Sequence, residues 1–165
     1  MDDLTHLDST TKYVLTDTGK PSKDFFNWIK KLNGWISDAT SNINNLNSEL
    51  NSAWTSYTPV VTATAGTITG YTALGIFKQI GKTINVQMQL TITNVGSASG
   101  YIVSTLPVAS VGSMSQALSG REVGTTGNAI SGIIAGGNVR ISYYNNLFPG
   151  GTGSQLNLGG TYEAA

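Results

Sequence analysis

Apolar residues recur between residues 25 and 53 at alternating intervals of four and three, without a break. The predicted seam consists of Phe25, Ile29, Leu32, Ile36, Ala39, Ile43, Leu46 and Leu50, with Ala53 as its last position. A straight helix drifts by about 20° per heptad, so a strict seven-residue repeat of this length is typical of helices that supercoil around copies of one another. The pattern predicts an oligomeric coiled coil.

The helix is expected to begin at Ser22, an N-cap residue, with Asp24 in the first turn. Residues 25–53 would span about 43 Å. The seam chemistry leaves the copy number open, because isoleucine with leucine favours parallel dimers, whereas the alanine positions permit higher states. Trp28 and Trp35 flank the seam, where they either cover grooves between neighbouring helices or dock on a larger assembly.

From Trp54 onward the apolar period changes to two. The clearest strand is 83–93, where apolar and polar residues alternate as in a half-buried antiparallel strand. Gly81-Lys82 joins it to the run 75–80 and predicts a type II′ hairpin turn. Further strands are predicted at 57–64, 66–71, 100–106, 116–123, 129–135, 138–144 and 155–162. Many short strands at such intervals predict a jelly-roll-like antiparallel sandwich, so the fold class is α+β with segregated parts.

Charge is scarce in this chain. Charged residues make up 11% of the sequence, the net charge is zero and cysteine is absent. No basic field exists to hold nucleic acid, and neither disulfides nor thiolate metal sites are possible. No apolar run has the length of a membrane span, and the first residues lack the pattern of a signal peptide. We therefore expect neither a nucleic-acid partner nor membrane insertion.

Few residues of the β-region offer catalytic chemistry. The single histidine, His6, precedes the helix, which excludes a Ser-His-Asp triad within the predicted head, residues 54–165. Glycoside hydrolysis needs two carboxylates about 5–10 Å apart, and the head contains only Glu122 and Glu163, each expected at the surface. His6 beside Asp2, Asp3 and Asp8 is interpreted as an exposed polar arm. We predict no enzymatic activity, no metal and no cofactor.

The segment 143–149 has the strongest binding character. It combines aromatic and amide side chains and precedes a glycine-rich loop. Sugars present apolar ring faces and hydroxyl groups, which such side chains can bind. The candidate receptor-binding residues are Tyr144, Asn145, Asn146 and Phe148. In the competing interpretation, Phe148 pins the loop to the core.

Three motifs in residues 53–110 resemble the head domains of bacteriophage tail-fibre proteins. They are W-x-x-Y-x-P at 54–59, F-K-x-I-G-K at 77–82 and Leu106-Pro107. Residues 19–28 also resemble the start of short phage fibre stalks. The resemblance implies a homotrimer with a parallel three-stranded stalk, N-terminal attachment to a baseplate or tail protein, and a head that binds host-surface glycans. The matched motifs carry no catalytic residue.

The expected organisation is a virion-docking arm at 1–21, a coiled-coil stalk at 22–53 and a receptor-binding head at 54–165. Residues 1–35 would contact the baseplate or tail protein, and the head would attach the virion to the host without catalysis. Such a protein would lie in the virion and become extracellular after host lysis. One alternative is a purely structural baseplate, neck or capsid fibre protein; another is a depolymerase with carboxylates at a subunit interface.

Overall fold

A computed structural model describes residues 23–165. The chain divides into two units, Met1–Ser48 and Glu49–Ala165. The expected docking arm and the expected N-cap Ser22 lie outside the described residues. Within these residues one helix precedes nine strands, so the helical and β parts are segregated along the chain.

The helix α1 spans Lys23–Asn51 and has Asp24 in its first turn. It ends two residues before the predicted last position, Ala53. The reason lies in Ser52, whose N–H and hydroxyl both donate to the carbonyl of Glu49, at 3.4 and 2.8 Å. Both bonds join residues three apart, so the regular i to i−4 hydrogen bonding of the helix ends here.

No residue of α1 is buried within the described chain. The predicted seam residues in its second half are exposed, and Ile36 and Ile43 expose 56% and 61% of their surface. Phe25, Ile29 and Leu32 are half-buried. Among residues 23–165, the second half of α1 therefore presents an apolar stripe that is exposed.

The nine strands form one sheet. They are β1 Thr55–Tyr57, β2 Val61–Ala65, β3 Gly70–Ile80, β4 Thr83–Asn94, β5 Ser99–Thr105, β6 Gln116–Glu122, β7 Ala129–Ala135, β8 Asn138–Tyr143 and β9 Gln155–Glu163. Their order is β1-β3-β4-β9-β6-β7-β8-β5-β2, and every neighbouring pair is antiparallel. The prediction of an antiparallel β-rich head is confirmed, but a single curled sheet takes the place of a sandwich of two separate sheets.

The curl follows from the position of the first two strands. β1 and β2 lie at opposite edges of the sheet, yet only residues 58–60 separate them. Four peptide steps reach at most about 14 Å, so the two edges must approach each other. Pro59 is fully buried at this crossing. Because proline has no N–H to donate, it divides the single strand predicted at 57–64.

One face of the curled sheet forms the core. The apolar side chains of β4 are buried as their alternation predicted, and they are Ile84, Val86, Met88, Leu90 and Ile92. They belong to one cluster with residues of other strands, including Ile102, Leu118, Ile130, Ile134, Val139, Ile141, Leu156 and Leu158. The polar residues between them, such as Gln87, point to the outer face.

The prediction of a strand at 66–71 is wrong. Residues 66–69 connect β2 to β3 and bond to the end of β4 and the turn that follows it. The Thr69 N–H donates to the Asn94 carbonyl at 3.1 Å, and the Ser97 N–H donates to the Thr67 carbonyl at 3.1 Å. The strand β3 begins only at Gly70 and continues to Ile80. It therefore includes the predicted run 75–80 and the residues before it.

The hairpin between β3 and β4 has the predicted turn. Ile80 pairs with Thr83, and Gly81 has a φ of 58°. Lys82 is not among the described residues with positive φ. A positive φ at only the first central position defines type II′, which is why glycine is suited to this place.

Tyr57, from the W-x-x-Y-x-P motif, covers a glycine on the neighbouring strand. It pairs with Gly75, and a Cβ built on Gly75 would lie 2.2 Å from the Tyr57 ring. The ring also meets Phe77 edge to face, with the centroids 5.9 Å apart. The motif residues that resemble phage fibre heads therefore build the packing of one sheet edge.

The Tyr57 hydroxyl is buried and has no hydrogen-bond partner among residues 23–165. Burial and the neighbouring Tyr162 phenol both raise the pKa of Tyr57.

A buried polar group without a partner costs roughly 1–3 kcal/mol. We therefore expect Tyr57→Phe to raise the free energy of unfolding by about 1 kcal/mol, measured by denaturant unfolding at fixed protein concentration. Tyr57→Ala, which removes the ring, should lower it by about 3 kcal/mol. A Phe variant less stable than the wild type would contradict this assignment.

Candidate functional site

The loop after β8 carries the predicted recognition residues on a compact turn. The Asn146 N–H donates to the Tyr143 carbonyl and the Tyr143 N–H to the Leu147 carbonyl, both at 2.9 Å. Asn146 has a φ of 63°, the one positive value at a non-glycine residue in the described range. Asparagine tolerates this region better than most residues because its short side chain can bond locally. The turn is therefore held by its own backbone.

Three of the four predicted site residues lie on the outside of this turn. Tyr144 exposes 76% of its surface, and Asn145 and Asn146 are exposed beside it. The Asn145 Oδ1 accepts from the Leu147 N–H at 3.2 Å, so its side-chain oxygen is already engaged and its NH₂ group remains for a ligand. The turn thus presents one aromatic ring next to two amide groups.

Phe148 occupies a different position. It is half-buried and packs against the hydrophobic core. A Cβ on Gly150 would lie 2.9 Å from its ring, so the chain after the turn passes close to Phe148. The Phe148 side chain thus anchors the loop to the hydrophobic core, as in the competing interpretation.

The turn after β8 is connected to the β6–β7 loop through two hydroxyl groups. The Tyr143 hydroxyl lies 3.0 Å from Thr126 Oγ1. Because the Thr126 hydroxyl donates its proton to Glu122 Oε2 at 2.7 Å, the Tyr143 hydroxyl is the donor in their contact. The end of β8 is thereby tied to a buried carboxylate.

Glu122 was expected at the surface, and this expectation is wrong: the residue is fully buried. Its Oε1 accepts from the N–H groups of Gly124, Thr125 and Gln155, at 2.6, 2.8 and 3.2 Å. Its Oε2 accepts from the N–H groups of Thr126 and Gly127 and from the Thr125 and Thr126 hydroxyls. The carboxylate therefore gathers the β6–β7 loop and the start of β9 around itself.

The surroundings of Glu122 determine its protonation. Burial raises the pKa of the carboxyl, but hydrogen bonds from Thr126, Thr125 and Gln155 outweigh this effect and lower the pKa from its ordinary value of 4.5 to about 2. A carboxyl that has to donate or accept a proton near neutral pH needs the opposite shift. Glu122 is thus suited to holding the β6–β7 loop and the start of β9 in place.

This role of Glu122 was not predicted, although the sequence carries a signal for it. Period-two alternation puts Glu122 on the same face of β6 as the buried Leu118. The following residues, 123–127, are Val-Gly-Thr-Thr-Gly, a short segment rich in free N–H groups and hydroxyls. A carboxylate that points inward just before such a loop is a candidate acceptor for hydrogen bonds from the N–H groups and hydroxyls of that loop.

The second carboxylate of the head, Glu163, lies far from the first. Its side chain is exposed at the end of β9. Glu122 pairs with Leu156 on β9, seven residues before Glu163. At about 3.3 Å per residue this places the two residues about 23 Å apart along the strand. A glycosidase pair requires about 5–10 Å, so the two carboxylates of one chain do not form such a site.

The described part of the chain, residues 23–165, contains no group of three or more metal-ligating side chains. His6 and its acidic neighbours lie outside the described residues. None of the helices in this part is both long enough and apolar enough to cross a bilayer. The predicted seam residues from Phe25 to Leu50 all lie on α1.

Comparison with known proteins gives no relative. No protein-family model, no curated protein and no solved structure matches this chain.

Proposed function

We propose that this chain is a homotrimeric virion fibre that attaches a bacteriophage to its host. Residues 1–21 dock on the particle, with the contact to a baseplate or tail protein extending to residue 35. Residues 22–53 form a parallel three-stranded stalk, and residues 54–165 form the receptor-binding head. The function is adhesion without catalysis, and the protein is located in the virion and released on host lysis.

The observation that carries this proposal is the apolar heptad on α1. A helix of 29 residues buries none of its side chains within the described chain, and an isolated helix draws most of its stability from packing of its apolar face. Copies of the same helix supply the required face in register, because the repeat is strict. The resemblance to phage fibres suggests three copies.

The surface of the head supports the second half of the proposal. Tyr144 exposes a large aromatic ring on a rigid turn, beside amide groups that can bond sugar hydroxyls. Rigid loops on a β scaffold are a common place for recognition. Three copies on one stalk multiply a weak contact through avidity, with no new contact per head. We therefore propose Tyr144, Asn145 and Asn146 as the contact residues, with Phe148 supporting them.

The direct test is binding of the full chain to an array of bacterial surface glycans. We expect Tyr144→Ala to weaken binding by about tenfold per head, which corresponds to roughly 1.4 kcal/mol, and by more on a dense array where three heads bind together. Met114→Ala is the matched control, because Met114 is an apolar side chain of similar exposure, 66%, in another loop. Binding unchanged by Tyr144→Ala would reject the loop as the contact site.

The alternative function is that of a purely structural baseplate, neck or capsid fibre protein. It gains support from apolar residues exposed on the head, among them Val60, Leu74 and Ile133. In that case the full chain would bind no surface glycan, and the head would be covered by neighbouring proteins in the particle. Antibody labelling of intact particles distinguishes the two functions, since only an attachment head is accessible.

A further inference from the structure

A groove of about 530 Å³ crosses the outer face of β3, β4 and β9. Two rows of neighbouring residues line it. The first row consists of Leu74, Gln89 and Asn157, and the second of Ile76, Gln87 and Gly159. β4 and β9 are paired on both sides, so their backbone groups are engaged in the sheet. The groove therefore offers side chains to a ligand.

The groove is open because Gly159 has no side chain. A Cβ there would lie 3.5 Å from the Val86 carbonyl oxygen and 3.6 Å from Gln87 Cγ, which are ordinary contacts. The next residue, Gly160, differs: its φ is 157°, and a Cβ would lie 2.9 Å from Leu118 Cδ2. The positive φ and the close Leu118 side chain thus favour glycine at 160, whereas neither backbone conformation nor packing requires it at 159.

A glycine that the fold does not require calls for another explanation. Glycine inside a strand destabilises it relative to alanine, because glycine loses more conformational freedom on folding. It often marks a place where a ligand or another backbone approaches the strand closely. At Gly159 the groove floor is bare backbone between the side chains of the neighbouring strands, which is the space that a flat ring would occupy.

The lining of the groove is neutral and mixed in polarity. Gln87, Gln89 and Asn157 offer amide groups that both donate and accept hydrogen bonds. Leu74 exposes 69% of its surface next to them. A pyranose ring has hydroxyl groups for such amides and a C–H face for an aliphatic side chain. None of the lining residues carries a charge. The neighbouring cation in the first row is Arg121 on β6, which pairs with Asn157 and donates from Nε to the Gly127 carbonyl at 2.9 Å.

We infer that this groove is a second saccharide subsite, which takes a neutral pyranose unit. Gln87, Gln89 and Asn157 bond the ring hydroxyls, and Leu74 packs against the C–H face. The inference rests on the proposed attachment function and adds a contact on the sheet to the one on the Tyr144 turn. A volume of about 530 Å³ lies within the roughly 300–1,000 Å³ of small-ligand sites.

The test uses the full chain and ligand-observed saturation-transfer NMR with the methyl glycosides of glucose, galactose, mannose and N-acetylglucosamine. Gly159→Val fills the groove with a residue that suits a strand. We expect at least tenfold weaker binding of any glycoside that binds the wild type, with an unchanged circular dichroism spectrum. Gln89→Ala, which removes one amide without adding volume, should weaken binding at least threefold. Ser131→Val makes a comparable change on the outer face of β7 and should leave binding unchanged.

Three results would overturn the inference. The first is that none of the four glycosides binds the wild type. The second is that the wild type and both groove variants bind equally well, and the third is that the main change in Gly159→Val is a lower sedimentation coefficient. The last result would make the face a contact between copies of this chain.

The inference and the proposed function fail in distinguishable ways. Host polysaccharide binding that survives Gly159→Val and falls with Tyr144→Ala would remove the second subsite and leave the attachment function. Glycoside binding in the groove without any binding to host polysaccharide or cells would remove the attachment function alone.

Discussion

Replacing Glu122 with glutamine should lower the free energy of unfolding of the head by about 4 kcal/mol. The carboxylate accepts seven hydrogen bonds from Gly124, Thr125, Thr126, Gly127 and Gln155. Glutamine keeps the shape but replaces one oxygen with an NH₂ group, which then faces N–H donors. Since small domains are stable by only about 5–15 kcal/mol, such a loss should be evident in denaturant unfolding of the full chain.

The chain provides its own control for this experiment. Glu163→Gln makes the same chemical change at an exposed side chain and should alter stability by less than about 0.5 kcal/mol. If Glu122→Gln and Glu163→Gln were equally stable, the carboxylate would not hold the β6–β7 loop and the start of β9. A depolymerase that uses both carboxylates predicts instead that each variant loses polysaccharide cleavage while it stays folded.

The same carboxylate determines how stability depends on pH. Its pKa is about 2 in the folded chain and 4.5 ordinarily, so the folded state binds fewer protons than the unfolded state between these values. The stabilisation is fully present above about pH 4.5 and is lost as the pH falls towards 2. At about 1.4 kcal/mol per pKa unit the loss amounts to roughly 3 kcal/mol. Glu122→Gln should lack this part of the acid transition.

The largest effect on assembly is expected from the double variant Ile36→Asn/Ile43→Asn. In the proposed trimer it places six amide groups along the seam, where each unsatisfied buried group costs roughly 1–3 kcal/mol. The lost burial of the isoleucine side chains adds to this cost. We expect the trimer to dissociate to monomers at low micromolar concentration, as measured by sedimentation velocity.

A control with the same new residue is Ser41→Asn, since Ser41 lies opposite the seam and is exposed. It should sediment like the wild type. A double variant that stays trimeric at the same concentration would show that assembly depends on another part of the chain, and the heptad would lose its role as the main determinant.

Local patterns allowed the helix and most strands to be predicted. The alternation of β4 and the glycine at its hairpin turn are determined by neighbours in sequence, and both are found as expected. The candidate residues Tyr144 and Asn145 could be chosen from their side chains alone, but the turn that holds them was not predicted, although its hydrogen bonds span only a few residues. Elements governed by contacts within a few residues were therefore accessible to pattern analysis.

The single sheet could not be predicted, because the strand order depends on pairings between distant segments. β9 pairs with both β4 and β6, and no local pattern specifies this arrangement. The groove was missed for a related reason, since it joins Leu74, Gln89 and Gly159 from three strands. The burial of Glu122 was missed because charge was given more weight than its inward position on β6.

The central place of β9 has a consequence for biosynthesis. β9 follows all other strands in the chain, yet it alone joins β4 to β6 in the sheet. The strands made earlier can form only two partial ladders, β1-β3-β4 and β6-β7-β8-β5-β2, until β9 leaves the ribosome. The helix, whose hydrogen bonds are local, needs no such delay. Nascent chains could thus pair through their helices while the heads are still open, which would bring unfinished sheet edges of several copies close together.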